Sequence, residues 1–178
     1  MIQLSTLLWG FSLVFGVIGY MRGLSKELIS LAGIVLALFA LFQFDSSLRG
    51  IFLANVPGQQ KFIIQSIIFL VIVFFAYQTR ALSRRLNVPE GRDNLQATVL
   101  GAIVGFINGY LIFGSLWYFM DINQYPLTPF IEAPLAGSTS AAAINTLPLY
   151  LLAGGPGGDG SILSFVVIVL FIFVLVLI

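Results

Sequence analysis

Five apolar stretches, each free of Asp, Glu, Lys and Arg, alternate with polar segments along the chain: Leu4–Met21, Leu28–Phe44, Phe62–Gln78, Leu95–Met120 and Ile162–Ile178. A helix rises about 1.5 Å per residue, so about 20 apolar residues cross a hydrocarbon core about 30 Å thick. The pattern therefore predicts an all-α fold, a polytopic membrane helical bundle of four to five transmembrane helices. The organisation it suggests is a four-helix membrane core over 1–120, an extracytoplasmic Pro/Gly/Ala-rich connector over 121–160, and a C-terminal peripheral transmembrane helix over 161–178.

The punctuation between the stretches differs in kind. Arg22-Gly23-Leu24-Ser25-Lys26-Glu27 is a tight turn: Gly23 suits a left-handed helix end, and Ser25 suits the cap of the next helix. Asp45–Lys61 contains the turn dipeptide Pro57-Gly58. Arg80–Asn94 is polar. In the long Asp121–Gly160 connector, Ala141–Leu152 predicts a short interfacial helix interrupted by Pro148. Ser161 suits the cap of the last helix, after a loose Gly154–Gly160 hinge.

Small residues identify the packing faces, because membrane helices associate where backbones can approach closely. At about 100° per residue, Ser5, Ser12, Gly16, Gly19 and Gly23 fall on one face of the first helix. Ser30, Gly33, Ala37 and Ala40 do so on the second. Ala97, Gly101, Gly105, Asn108 and Ser115 do so on the fourth, with Gly109 at the edge. Gly101, Gly105 and Gly109 form two overlapping G-x-x-x-G units, a spacing that suits packing within the chain or dimerisation. The third and fifth helices are almost wholly aliphatic and aromatic, which puts them on the lipid side of a core made by the other three.

Composition sharpens the class. The chain is 59% hydrophobic and 8% charged, against about 25% charged in soluble domains. A net charge of +1 offers no basic patch for nucleic acid. With no Cys and no His, the chain lacks thiolate nucleophiles, imidazole bases, Cys/His zinc sites and disulfides. Ser138, Thr139 and Ser140 therefore have no imidazole partner. The scattered Asp121, Glu132 and Asp159 do not have calcium-loop spacing. Enzymatic catalysis is not expected, nor is any cofactor or metal site. Met1–Leu8 carries no positive charge and no cleavage signal follows, so the first stretch reads as a retained helix.

Six basic residues, Arg22, Lys26, Arg80, Arg84, Arg85 and Arg92, lie in the first and third loops, against Arg49 and Lys61 on the other side. The positive-inside rule then puts the N-terminus of this multi-pass chain outside, the loops 22–27 and 80–94 in the cytoplasm, and the Asp121–Gly160 connector outside. Arg80, Arg84 and Arg85 read as a cytoplasmic anchor. Arg22, Lys26 and Glu27 form the densest charged turn, read as an interfacial anchor with an ion pair or as a contact for a lipid headgroup or partner. Asn108 is the best-placed deep polar residue, suited to interhelical hydrogen bonding or to lining a small polar path beside Gly105.

The run Gly19-Tyr20-Met21-Arg22-Gly23-Leu24-Ser25-Lys26-Glu27-Leu28-Ile29-Ser30-Leu31-Ala32-Gly33 resembles the signature of the colicin V production protein family, small bacterial inner-membrane proteins. Leu100–Gly109 resembles that family's glycine-rich last conserved helix. The resemblance covers roughly Leu4 to Met120. It departs where the family often has an Asp near the start of the first helix, since this chain has Gln3 and Ser5. It implies support of colicin V production or export and of envelope processes, and it singles out Gly19, Arg22, Gly23, Glu27, Gly101 and Gly105. The resulting expectation is a non-catalytic protein acting through contacts with membrane lipids and with membrane-protein partners or a second copy of itself. The rival reading is an accessory transmembrane subunit of a larger energy-conversion or photosynthetic complex. A small channel or transporter is the weakest, because no charge falls in the predicted bilayer centre.

Overall fold

The computed structural model describes residues 3–78 and 95–177, all helix and loop with no strand among them. Helix α1 spans Leu4–Arg22, α2 Leu24–Gln43, α3 Gly58–Tyr77 and α4 Leu95–Ile122. These four are long and apolar enough to cross a membrane. A short turn at Asp45–Ser47 runs into a wide helical turn at Leu48–Phe52. The connector folds into α5, Thr139–Ala143, a tight turn at Ile144–Thr146, and α6, Pro148–Ala153. Helix α7 covers Ser161–Leu177. The expected fold class, an all-α bundle with four long apolar helices, is the one observed.

Local chemistry moves several boundaries. Helix α2 starts at Leu24, ahead of Ser25, and Gly23 at φ 81° is at once the end of α1 and the cap of α2, with no side-chain cap. A residue with a Cβ is strained at that φ, so glycine lets the two helices follow each other with a single residue between them. Pro148 begins α6 rather than interrupting it, since a proline at a first helical position loses no bond the helix would have made. The backbone N–H of Ser161 donates to Asp159 Oδ1 at 3.1 Å, so Asp159 supplies the side-chain oxygen expected of Ser161 at the start of α7.

The central contact is α1 against α4, with α2 lying against α4 and carrying α3 and α7 on its other sides. The buried core includes Ile34 and Leu38 from α2, Ile112, Trp117 and Phe119 from α4, and Phe69 from α3. Helix α3 thus reaches inward through Gln65, Ser66, Phe69 and Val73 while most of its length faces outward. Helix α7 buries Leu163 and leaves Phe165, Ile168, Phe171 and Ile172 exposed. The connector is lashed to the bundle: Pro148 packs on Gly114, and Ser5 and Ser140 approach with their hydroxyls 3.1 Å apart.

Candidate functional site

The glycine face of α4 meets α1 at backbone contact. A Cβ on Gly105 would come within 2.8 Å of Gly19 Cα and would overlap the Phe15 carbonyl. One on Gly101 would lie 2.7 Å from the Gly19 carbonyl oxygen and 2.9 Å from Leu24 N. One on Gly109 would lie 2.8 Å from Ser12 Cα. Gly19 would press on Gly101 and Gly105, and Gly33 on the Ala76 methyl of α3. Gly16 is different: its nearest neighbours are 3.4 and 3.5 Å away, an ordinary contact for a methyl. Gly23 has open space around it and is required for its φ.

This close approach brings a polar cluster together. Glu27, in the first turn of α2, is 0% exposed, although its sequence position suggested an interfacial turn. Its Oε1 accepts from Arg22 Nη1 at 2.6 Å, and its Oε2 accepts from Asn108 Nδ2 at 2.7 Å. The Tyr77 hydroxyl donates to the same Oε2 over a longer 3.4 Å. Arg22 therefore does not reach out towards water. Its Nη2 donates to the Tyr77 carbonyl at 3.1 Å, its Nη1 also donates to Ser30 Oγ at 3.3 Å, and its guanidinium carbon lies 4.4 Å from the centre of the Tyr77 ring. The charged fork thus points into the bundle, where its acceptors are the carboxylate and a carbonyl in the last turn of α3. Helix C-terminal carbonyls carry partial negative charge, which favours a cation there.

Asn108 ties the cluster to the glycine helix. Its Nδ2 donates both to Glu27 Oε2 and to the Glu27 carbonyl, at 2.7 and 3.1 Å. The residue is fully buried. Gly101 faces the Gly23 turn, and Asn108 lies two helical turns further along α4, about 10 Å deeper. The ion pair therefore sits inside the bundle, where breaking it would strand a charge. Lys26 stays partly exposed on α2 and gives its carbonyl to Ser30 Oγ at 3.1 Å. The anchor Arg80, Arg84 and Arg85 lies outside the described residues.

A second polar network closes the opposite end. Asn123 Nδ2 donates to Gln65 Oε1 at 2.9 Å, and Gln65 Nε2 donates to Asp45 Oδ1 at 3.1 Å. Burial raises the Asp45 carboxyl, partly offset by Arg49, whose guanidinium is 3.9 Å away, and by Gln65. In the connector the Tyr150 hydroxyl donates to Asp121 Oδ2 at 2.7 Å, and burial together with that carboxylate pushes the phenol up to about 12. Among the described residues no group of three metal-ligating carboxylates is gathered.

Sequence reasoning placed Arg22, Lys26 and Glu27 together and singled out Asn108 separately. It did not join them, and it missed Ser30 as a partner and Tyr77 altogether. The one available signal was Glu27 itself, a carboxylate on the same helix face as Ser30 and Ala37.

Taken together, four long apolar helices, a glycine-to-glycine core and a buried ion pair define a polytopic membrane helical bundle. The colicin V production protein family model matches residues 4–147, most of the chain and all of this core, and the chain belongs to that family. No curated protein and no solved structure matches it.

Proposed function

We propose that the protein assists the production or export of colicin V or a comparable secreted product, or a related envelope process, from the inner membrane, without catalysing a reaction and by contact with other membrane proteins. The observation that carries this reading is the family match, which takes in the Arg22–Glu27 turn, the glycine helix and the connector as far as Leu147. The chemistry is consistent with it: the buried charges of α1 and α2 are consumed by one another and by Asn108, in an arrangement that holds helices together. The far end offers surface for contact. Phe130 and Leu135 are 91% and 76% exposed there, beside a cavity of about 560 Å³ walled by Leu4, Leu7 and the connector.

The test is genetic and biochemical. In a colicin V-producing bacterium lacking its own family member, expression of this chain should restore the released toxin without changing its intracellular synthesis. Unchanged release with and without the chain would count against the proposal. Stoichiometric co-purification with a large energy-conversion complex would favour the accessory-subunit reading in its place.

A further inference from the structure

Asn108 leaves one atom unexplained. Its Oδ1 is buried and has no hydrogen-bond partner among the described residues. Flipping the amide does not help. Nδ2 already faces two acceptors, the carbonyl and the carboxylate of Glu27, and turning Oδ1 towards them would set oxygen against oxygen. The orientation is therefore fixed by chemistry, and an acceptor is left facing the bundle interior without a donor. A buried amide oxygen without a donor loses the hydrogen bonds it would make in water, which is why such atoms in folded proteins are nearly always satisfied.

The surroundings restrict what can supply the donor. A cation is disfavoured, because the Arg22 guanidinium already neutralises the carboxylate at 2.6 Å and a second positive charge would be left unbalanced. An anion would face Asn108 Oδ1 and Glu27 Oε2, two acceptors. The cavity beside Leu4, Leu7 and the connector and the one beside Leu41 and Ile72 lie elsewhere on the bundle. A small neutral donor remains. The Tyr77 hydroxyl, which shares Glu27 Oε2 with the Asn108 amide and holds it only over 3.4 Å, is a second polar group at the same place.

We propose that one buried water molecule binds at this junction of α1, α2, α3 and α4, donating to Asn108 Oδ1 and hydrogen-bonding to the Tyr77 hydroxyl, as an integral part of the Arg22–Glu27 site. Buried waters typically make about three hydrogen bonds to protein groups that otherwise lack partners. This one would place an exchangeable hydrogen beside a carboxylate that protein atoms seal from the bilayer. The site would be a wet point within a dry core, since Ile34 and Leu38 on the same helix as Glu27 are fully buried among apolar neighbours.

Water-edited solid-state NMR on the wild-type protein in lipid bilayers tests this without any variant that could misfold. Magnetisation from water should reach the Asn108 side-chain Cγ and Nδ2 several-fold faster than the Ile34 and Leu38 methyl carbons. Build-up at Asn108 as slow as at Ile34 and Leu38 would overturn the proposal. So would a direct correlation between the Tyr77 hydroxyl proton and Asn108 Oδ1-bonded Cγ with no water transfer, since the tyrosine would then be the missing donor. Neither result depends on what the protein does for secretion.

Discussion

Removing either charge from the Arg22–Glu27 pair should destabilise the bundle, and removing both should not. Arg22→Met leaves a 0% exposed carboxylate holding only the Asn108 amide at 2.7 Å and the long Tyr77 contact. Breaking a buried pair costs about 3–5 kcal/mol, and this variant should sit near the top of that range. Glu27→Leu should cost less, about 3 kcal/mol. The Arg22 side chain is 21% exposed and keeps the Tyr77 carbonyl and Ser30 Oγ as acceptors, so its charge is only partly stranded. The double variant, Arg22→Met with Glu27→Leu, replaces the pair by apolar groups of similar size, and such replacements are often neutral or stabilising, so it should lie within about 1 kcal/mol of wild type. The measurement is a double-mutant cycle on reversible unfolding in mixed micelles followed by far-UV circular dichroism. Single-variant costs each below about 1 kcal/mol, the range of exposed pairs, would refute the placement of the pair inside the bundle.

Other expectations follow from the same packing. Gly105→Leu should cost at least about 1–3 kcal/mol, because the new side chain meets Gly19 and the Phe15 backbone, whereas Phe171→Leu, 64% exposed on α7, should leave the unfolding midpoint almost unchanged; equal shifts would undo the assignment of core and periphery. The Asp159 carboxyl is held below its ordinary value of 3.8 by the Ser161 N–H it accepts, so its support for the start of α7 is complete above that value and disappears as pH falls through the lower folded value. The protection of the Ser161 amide, its exchange rate relative to the intrinsic rate at each pH, should accordingly be the same at pH 7 and pH 5, and it should fall at neutral pH in Asp159→Ala. For orientation, the chain offers no background thiol. Ala136→Cys on the exposed connector should label with an impermeant maleimide in outer-membrane-permeabilised cells, while Ser83→Cys should label only after lysis; the reverse pattern would overturn the positive-inside count.

The spans were legible because bilayer thickness imposes a length on apolar runs, and the small-residue faces because backbone contact demands them. Gly19, Gly101, Gly105 and Gly109 sit where those faces meet, whereas Gly16 has the same pattern and does not need to be glycine. Pattern alone does not separate the two, since the difference lies in how closely α1 and α4 approach at each turn: a Cβ would meet its nearest neighbour at 3.4 Å on Gly16 but at 2.7 Å on Gly109. The ion pair was half legible. Adjacent charges in a turn read as an interfacial anchor, and only the tertiary register, which puts Asn108 of α4 and Tyr77 of α3 beside Glu27, turns them inward. The connector was least legible: Ser5–Ser140 and Tyr150–Asp121 join residues far apart in sequence, and neither pair has a periodic signal.

A contact-mediated helper moves nothing across the membrane by itself, and reconstitution of the purified chain alone into liposomes tests that directly. With its two buried charges paired and Asn108 bonded to Glu27, the bundle should carry no ion, proton or solute flux above that of empty liposomes loaded with the same pH- and potential-sensitive dyes. Flux that appears with the wild-type chain and disappears with Glu27→Gln would contradict the account, because it would make the buried carboxylate a carrier of charge rather than a fastening between helices.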